Sequence, residues 1–178
     1  MKKLFAMLLA LSVLFSFAAC GGTAADPTTT PTEATKPALE GTLEEILNKV
    51  IEQEPVEFMG GVMPVDLADP DAVKYMTGLD STDGIVEAAV FEPMMGSIAF
   101  SMVMVRATSA EKAQSIAEAM NSNIDTRKWI CVEADDLMIA TYGDLAMLIM
   151  VDSTNGMEAQ SFVDAFQHVC GGILDYVG

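Results

Sequence analysis

Hydrophobic residues repeat with a helical period in four stretches of the chain. In each stretch apolar side chains recur every three to four residues and leave the opposite side polar, as in a helix packed on a core. The stretches are residues 42–54, 69–78, 108–124 and 157–173. The first begins with a capping box, since Thr42 and Glu45 have the spacing at which each side chain bonds the backbone N–H of the other. The pattern therefore predicts four helices.

Between these helices the apolar residues form continuous runs that are typical of strands. Runs 85–91 and 98–106 are separated by a turn at residues 92–96, and runs 137–142 and 145–151 are separated by a glycine and an aspartate. Each pair predicts a β-hairpin, and Trp129–Val132 is a candidate fifth strand. Hairpins joined by helices predict the α+β class: an antiparallel sheet of four to five strands, with helices packed mainly on one face.

The run at 98–106 is apolar on both faces of the predicted sheet. One face carries large side chains, and the other carries smaller ones that are still mostly apolar. The larger set is Ile98, Phe100, Met102 and Met104, and the smaller set is Ala99, Ser101, Val103 and Val105. Either the N-terminal helices cover the smaller face, or a partner does.

The first 41 residues have the layout of an exported lipoprotein. Two lysines precede an apolar run of about fourteen residues, which is too short to cross a bilayer, and small residues lead to Cys20. Phe17-Ala18-Ala19-Cys20 resembles a lipobox, although Phe17 stands where that pattern usually has an aliphatic residue. We therefore expect residues 1–19 to be a signal peptide, Cys20 to carry the acyl anchor, and residues 20–41 to be a disordered Thr/Pro-rich tether before a single α+β domain, 42–178.

Part of that domain resembles a known family. Residues 75–152 include the stretches YMTGLDSTDGIVEAAVFEPMMGSIAFSMVMVRATSAEKAQSIAEAM and DDLMIATYGDLAMLIMVD. They resemble the Gram-positive lipoproteins catalogued as domain of unknown function 4358. The resemblance implies a lipid-anchored α+β domain at the extracytoplasmic face of the cell membrane, and it implies no activity or catalytic residues.

The charge of the chain limits its partners. Removal of the signal peptide takes away Lys2 and Lys3 and leaves seven basic residues against 26 acidic ones, a net charge of −19. Nucleic acid binding needs clustered Lys and Arg, so we expect no nucleic acid partner. An acidic domain is also repelled by anionic lipid, so the acyl anchor on Cys20 must supply the membrane affinity.

No set of residues for catalysis is visible. The one histidine, His168, lies on the polar side of the last predicted helix, and no nucleophile motif accompanies it. Phosphate-binding glycine loops are absent as well. We therefore predict that the protein is not an enzyme and has no cofactor.

Acidic turns raise the question of a cation site. Asp66, Asp69 and Asp71 form one group, and Asp80 and Asp83 lie in a loop before the first hairpin that lacks the calcium-loop spacing. Each group could bind a hard cation, although N-capping and turn roles explain the same residues. No metal is assigned to them.

Two further pairs carry candidate chemistry. Met94 and Met95 stand at the tip of the first hairpin, where exposed methionines would form an apolar contact for a protein. Cys131 and Cys170 would share an oxidising compartment, so a disulfide between them stays open. The leading prediction is a non-enzymatic lipoprotein that binds an envelope protein or cell-wall partner. The alternative is a small-ligand or divalent-cation-binding module that serves a membrane complex.

Overall fold

The structure is a computed structural model that describes residue 36 and residues 38–178. The predicted signal peptide, 1–19, the acylation site Cys20 and most of the predicted tether lie outside these residues. None of the helices in the described residues could span a lipid bilayer.

Four helices and six strands follow one another along the chain. The helices are α1 Leu43–Gln53, α2 Pro70–Thr77, α3 Ala110–Asn123 and α4 Ala159–Cys170. The strands are β1 Gly60–Pro64, β2 Ile85–Pro93, β3 Phe100–Ala107, β4 Asp136–Tyr142, β5 Leu145–Val151 and β6 Tyr176–Val177. All six strands belong to one antiparallel sheet in the order β1-β2-β3-β5-β4-β6. The predicted α+β class with an antiparallel sheet built on two hairpins is confirmed.

The helices cover both faces of the sheet, and here the prediction of helices mainly on one face is wrong. On one face α1 and α4 pack on the large side chains of β3, among them Phe100 and Met102. On the other face α2 and α3 pack on its small side chains, such as Val103 and Val105. The central strands β3 and β5 are buried on both sides. Their apolar character on both faces therefore needs no partner, because helices of the same chain cover it.

The sheet also has one more strand than the upper prediction, and its edges differ. Trp129–Val132 is not a strand but part of a loop, in which Trp129 packs into the core below α3. The edge strands are instead β1 and β6, which no apolar alternation indicated. Gly60 and Gly61 weaken the apolar signal of β1, and β6 has only two residues.

Local chemistry explains where two of the helices begin and end. The capping box predicted at Thr42 and Glu45 is present and starts α1. Gly78 ends α2 at φ +77°, a conformation that favours glycine. A Cβ at Gly78 would also lie 2.6 Å from the backbone nitrogen of Ile124, so glycine allows the end of α2 to approach the end of α3.

The segment that precedes α1 is held along one end of the sheet. Lys36 forms an ion pair with Asp175, at 2.5 Å, and its ammonium lies over the ring of Tyr142 at the end of β4. Arg106, near the end of β3, donates to the carbonyl oxygens of Leu39 and Gly41 at 3.3 and 2.8 Å. The chain therefore enters the domain at the end of the sheet where β3 and β4 finish.

Candidate functional site at the methionine tip

The turn between β2 and β3 exposes a pair of methionines, which we call the methionine tip, Met94 and Met95. Their exposed fractions are 75% and 63%. Met59, just before β1, is 77% exposed and lies beside Met94, since the Met94 backbone N–H donates to the Met59 carbonyl oxygen at 2.9 Å. The exposed hairpin tip predicted from the sequence is therefore present, and a third methionine enlarges it.

Below the tip lies an ion pair that the described residues bury almost completely. The Lys128 ammonium donates to Glu92 Oε1, and their side chains are 1% and 11% exposed. Ser101, opposite Glu92 on β3, donates to Glu92 Oε1 at 2.8 Å and accepts from Lys128 at 3.1 Å. We call these three residues the Lys128 cluster. It joins the loop after α3 to β2 and β3, two residues from the tip.

Two aromatic rings flank the lysine. Its ammonium is 5.2 Å from the centre of the Tyr75 ring and 5.4 Å from that of Trp129. Burial lowers the pKa of Lys128, although Glu92 and Asp125 act in the opposite direction. Burial raises the pKa of Tyr75, with Glu92 and Asp125 adding to the effect. Contact with Glu92 therefore offsets part of the effect of burial on the lysine.

The Lys128 cluster does not have the properties of a catalytic serine–lysine pair. Ser101 is fully buried, so a substrate has no access to its oxygen. The Lys128 side chain is only 1% exposed and donates to Glu92, so a substrate cannot reach this group either. The arrangement instead bonds the loop after α3 to β2 and β3 at the base of the tip.

The tip and the site where the chain enters the domain lie at opposite ends of the strands. Arg106, which holds the segment before α1, pairs with Glu87 at the far end of β2. The seven residue-to-residue steps from Glu87 to Met94 correspond to about 23 Å at roughly 3.3 Å per step. The segment that would lead to the anchor is thus separated from the tip by the length of the sheet.

The acidic candidates are distributed over separate local roles. Asp69 caps α2 by accepting from the backbone of Asp71, and Asp66 accepts from the backbone N–H of Ala68. Asp80 pairs with Lys74 at 2.8 Å, and Asp83 pairs with Lys112 at 3.0 Å. In residues 36 and 38–178, no three His, Cys, Asp or Glu side chains come together as a metal site would require.

The thiols and the histidine are also apart. Cys131 is exposed in the loop after α3, whereas Cys170 is buried at the end of α4, and both are free. The disulfide that the sequence left open is therefore absent. Cys131 lies in the loop after α3 and Cys170 at the end of α4, and these two helices cover different faces of the sheet. Burial raises the pKa of Cys170 to about 12, so its thiol stays protonated. His168 is exposed on α4, as predicted.

A cleft of about 380 Å³ lies on the domain surface near the start of α1. Its lining is largely apolar and includes Val62 and Pro64 of β1 and Val86 of β2. Two carboxylates, Glu44 and Glu87, border it, but Glu87 is held by Arg106 at 2.9 Å. The cleft thus offers few polar groups that are free to orient a small ligand.

The Lys128 cluster could not be predicted from the sequence, because its members are distant in the chain. Lys128 is 36 residues from Glu92 and 27 from Ser101. The local signals were a lysine directly before the apolar residues Trp129–Val132 and a glutamate at the end of a buried strand. Each alone looks like a surface charge.

No protein-family model, no curated protein and no solved structure matches this chain. The family resemblance given above therefore stays an expectation.

Proposed function

We propose that this chain is a lipid-anchored, extracytoplasmic lipoprotein that acts without catalysis and binds an envelope protein through the methionine tip. The observation that carries the proposal is the exposure of Met94, Met95 and the adjacent Met59, each more than 60% exposed. Exposed methionines adapt their shape to a partner and favour apolar contacts, which makes them common at binding surfaces. With helices on both sheet faces, the tip replaces the sheet face as the proposed contact.

The position of the tip supports an anchored role. The segment before α1 is fixed at the other end of the strands by Lys36 and Arg106. The chain that would lead to an anchor on Cys20 therefore leaves the domain at the end away from the tip. The tip would then be accessible to a second membrane or envelope protein.

The charges of the domain indicate what kind of surface its partner presents. Among the described residues, each basic side chain except Lys49 is in an ion pair with a carboxylate. The remaining charge is strongly acidic, with a net charge of −19 for residues 20–178. A suitable partner surface is an apolar patch with a neutral or basic surround. A protein fits this description better than a cell-wall glycan, for which the tip offers few hydrogen-bonding groups.

Site-specific photocrosslinking of the full chain in its own membrane tests this proposal. A photoreactive residue replaces Met94 in one variant and Ile173 in a control, since Ile173 is 80% exposed but near the site where the chain enters the domain. We expect one discrete protein adduct from position 94 and none from position 173.

The captured protein is then purified and its affinity is measured. Replacing both tip methionines by serine should weaken binding about 100-fold or more, because burial of each methionine side chain contributes roughly 1.5–3 kcal/mol. An adduct that forms equally at both positions, or an affinity that the double replacement leaves unchanged, contradicts the proposal.

A further inference from the structure

The outer edge of β1 is one of the two edges of the sheet, and part of its backbone faces away from β2. Met59 and Val65 each form a backbone hydrogen bond with β2. Because backbone groups alternate in direction along an antiparallel strand, the N–H and C=O groups of Gly61 and Met63 also face β2. The intervening residues Gly60 and Val62 direct their N–H and C=O groups outward. In the described part of the chain these groups have no hydrogen-bond partner. Val62 and Pro64 also line the cleft near the start of α1.

No charged residue lies in β1, which contains Gly60, Gly61, Val62, Met63 and Pro64. Natural edge strands often carry charges that prevent pairing with another sheet. Pro64 ends the edge, because it lacks an N–H, and limits any pairing to a short stretch. Met63 is 42% exposed and Met59 is 77% exposed, and both side chains project from the same face of the strand.

We infer that β1 pairs antiparallel with β1 of a second copy of this chain, about a two-fold axis at Gly61. Gly60 and Val62 of one copy then exchange hydrogen bonds with Val62 and Gly60 of the other. Met59 of each copy lies opposite Met63 of the second, so the exposed methionines of the edge cover each other. Gly61 faces Gly61 of the second copy, and a Cβ added there meets nothing within 4 Å in the single chain.

The pairing is weak in solution and is favoured by confinement. An edge of five residues buries much less than the roughly 1,200 Å² of a stable interface. The like charges of two acidic domains also oppose it, and exposed Glu57 and Asp66 flank β1. Salt reduces this repulsion, and anchoring on one membrane raises the local concentration. The pairing goes beyond the proposed function: it covers Met59 and leaves Met94 and Met95 free.

Crosslinking through Gly61 tests the pairing. The full chain carries Cys131→Ser and Gly61→Cys, is reconstituted in phosphatidylcholine vesicles, and is oxidised mildly. A directly opposed, non-hydrogen-bonded pair has Cα atoms about 4.5 Å apart, which suits a disulfide. The control is Val86→Cys, at an exposed position on β2. We expect about tenfold more crosslinked dimer from position 61 than from position 86, and a higher yield in 0.5 M than in 0.05 M NaCl, which corresponds to Debye lengths of roughly 4 and 13 Å.

A second pair of variants keeps the test independent of how well Gly61→Cys folds. Vesicles that contain both Met59→Cys and Met63→Cys copies should crosslink more than vesicles with either variant alone. Adding Met63→Glu to Gly61→Cys should reduce the yield to that of the control. Equal yields at positions 61 and 86, or no advantage of the mixed copies, would overturn the pairing. So would a Gly61→Cys adduct with a different protein in native membranes. If the chain does not bind to the vesicles, the acyl anchor proposed on Cys20 is contradicted. The crosslinking yields of the same variants are then compared in solution, which tests the pairing separately.

Discussion

Replacing both members of the buried ion pair of Glu92 and Lys128 should cost much less stability than replacing one. The single variants are Glu92→Met and Lys128→Met, each of which leaves a charge without its partner where the side chains are 11% and 1% exposed. Removing one partner of a buried pair typically destabilises by about 3–5 kcal/mol, whereas apolar replacement of both is often nearly neutral. Each single variant should therefore lose about 3 kcal/mol or more, and the double variant about 1 kcal/mol.

Urea unfolding followed by tryptophan fluorescence measures these changes directly. Trp129 is the one tryptophan of the chain, and its ring lies 5.4 Å from the Lys128 ammonium. A domain of this size is stable by roughly 5–15 kcal/mol, so losses of this size are measurable in most of that range. The exposed pair of Arg127 and Glu133 is the matched control, and its loss should cost less than about 1 kcal/mol. Single variants that lose less than about 1 kcal/mol each, and whose effects add in the double variant, would refute a buried pair.

The same variants predict a pH dependence with a definite sign. Because burial lowers the pKa of Lys128 below 10.5, the unfolded chain binds this proton more tightly than the folded one. The contribution of this group is therefore fully present above pH 10.5 and is lost as the pH falls through the folded pKa. Cys170 acts oppositely, since its stabilisation is present below pH 9.0 and is lost toward its pKa of about 12. Subtracting the Lys128→Met curve from the wild-type curve isolates the lysine, and a difference that falls with rising pH contradicts its burial.

Three further predictions follow from the described geometry. Cys131 should react with a thiol reagent about 100-fold faster than Cys170, whose thiol is buried. Mass spectrometry of the modified chain measures both rates, and equal labelling of the two cysteines would contradict the burial of Cys170. Gly78→Ala should destabilise by about 3 kcal/mol or more in urea unfolding, whereas Gly143→Ala, where a Cβ meets nothing within 4 Å, should lose only about 1 kcal/mol; similar losses would refute the close approach at the end of α2. Arg106→Gln should make the segment before α1 about tenfold more sensitive to protease, and an unchanged cleavage rate would show that this segment is not held by the guanidinium.

The sequence predicts elements well where local chemistry decides them. The capping box at Thr42 and the glycine at Gly78 are local signals, and both helices occur as expected. It predicts edges poorly, because β1 depends on pairing with β2 and has little apolar alternation of its own. The loop at Trp129 is apolar for a different reason, since it packs under α3 and positions Lys128.

The candidate site divides in the same way. The exposed tip at Met94 follows from a turn between two apolar runs and can be predicted from the sequence. Its neighbour Met59 and the ion pair of Glu92 with Lys128 come together only when β1 and the loop after α3 are placed on the sheet. The number of helices per face is also a tertiary property, because an amphipathic helix does not indicate which face it will cover.

Photocrosslinking at the methionine tip decides whether Met94 contacts an envelope protein. With the full chain in its own membrane, a photoreactive residue at position 94 should give one discrete protein adduct, and one at position 173 should give none. Both wild-type side chains are more than 70% exposed, so exposure alone would label them equally. Equal labelling, or no protein adduct at position 94, would contradict a role of the tip in binding an envelope protein.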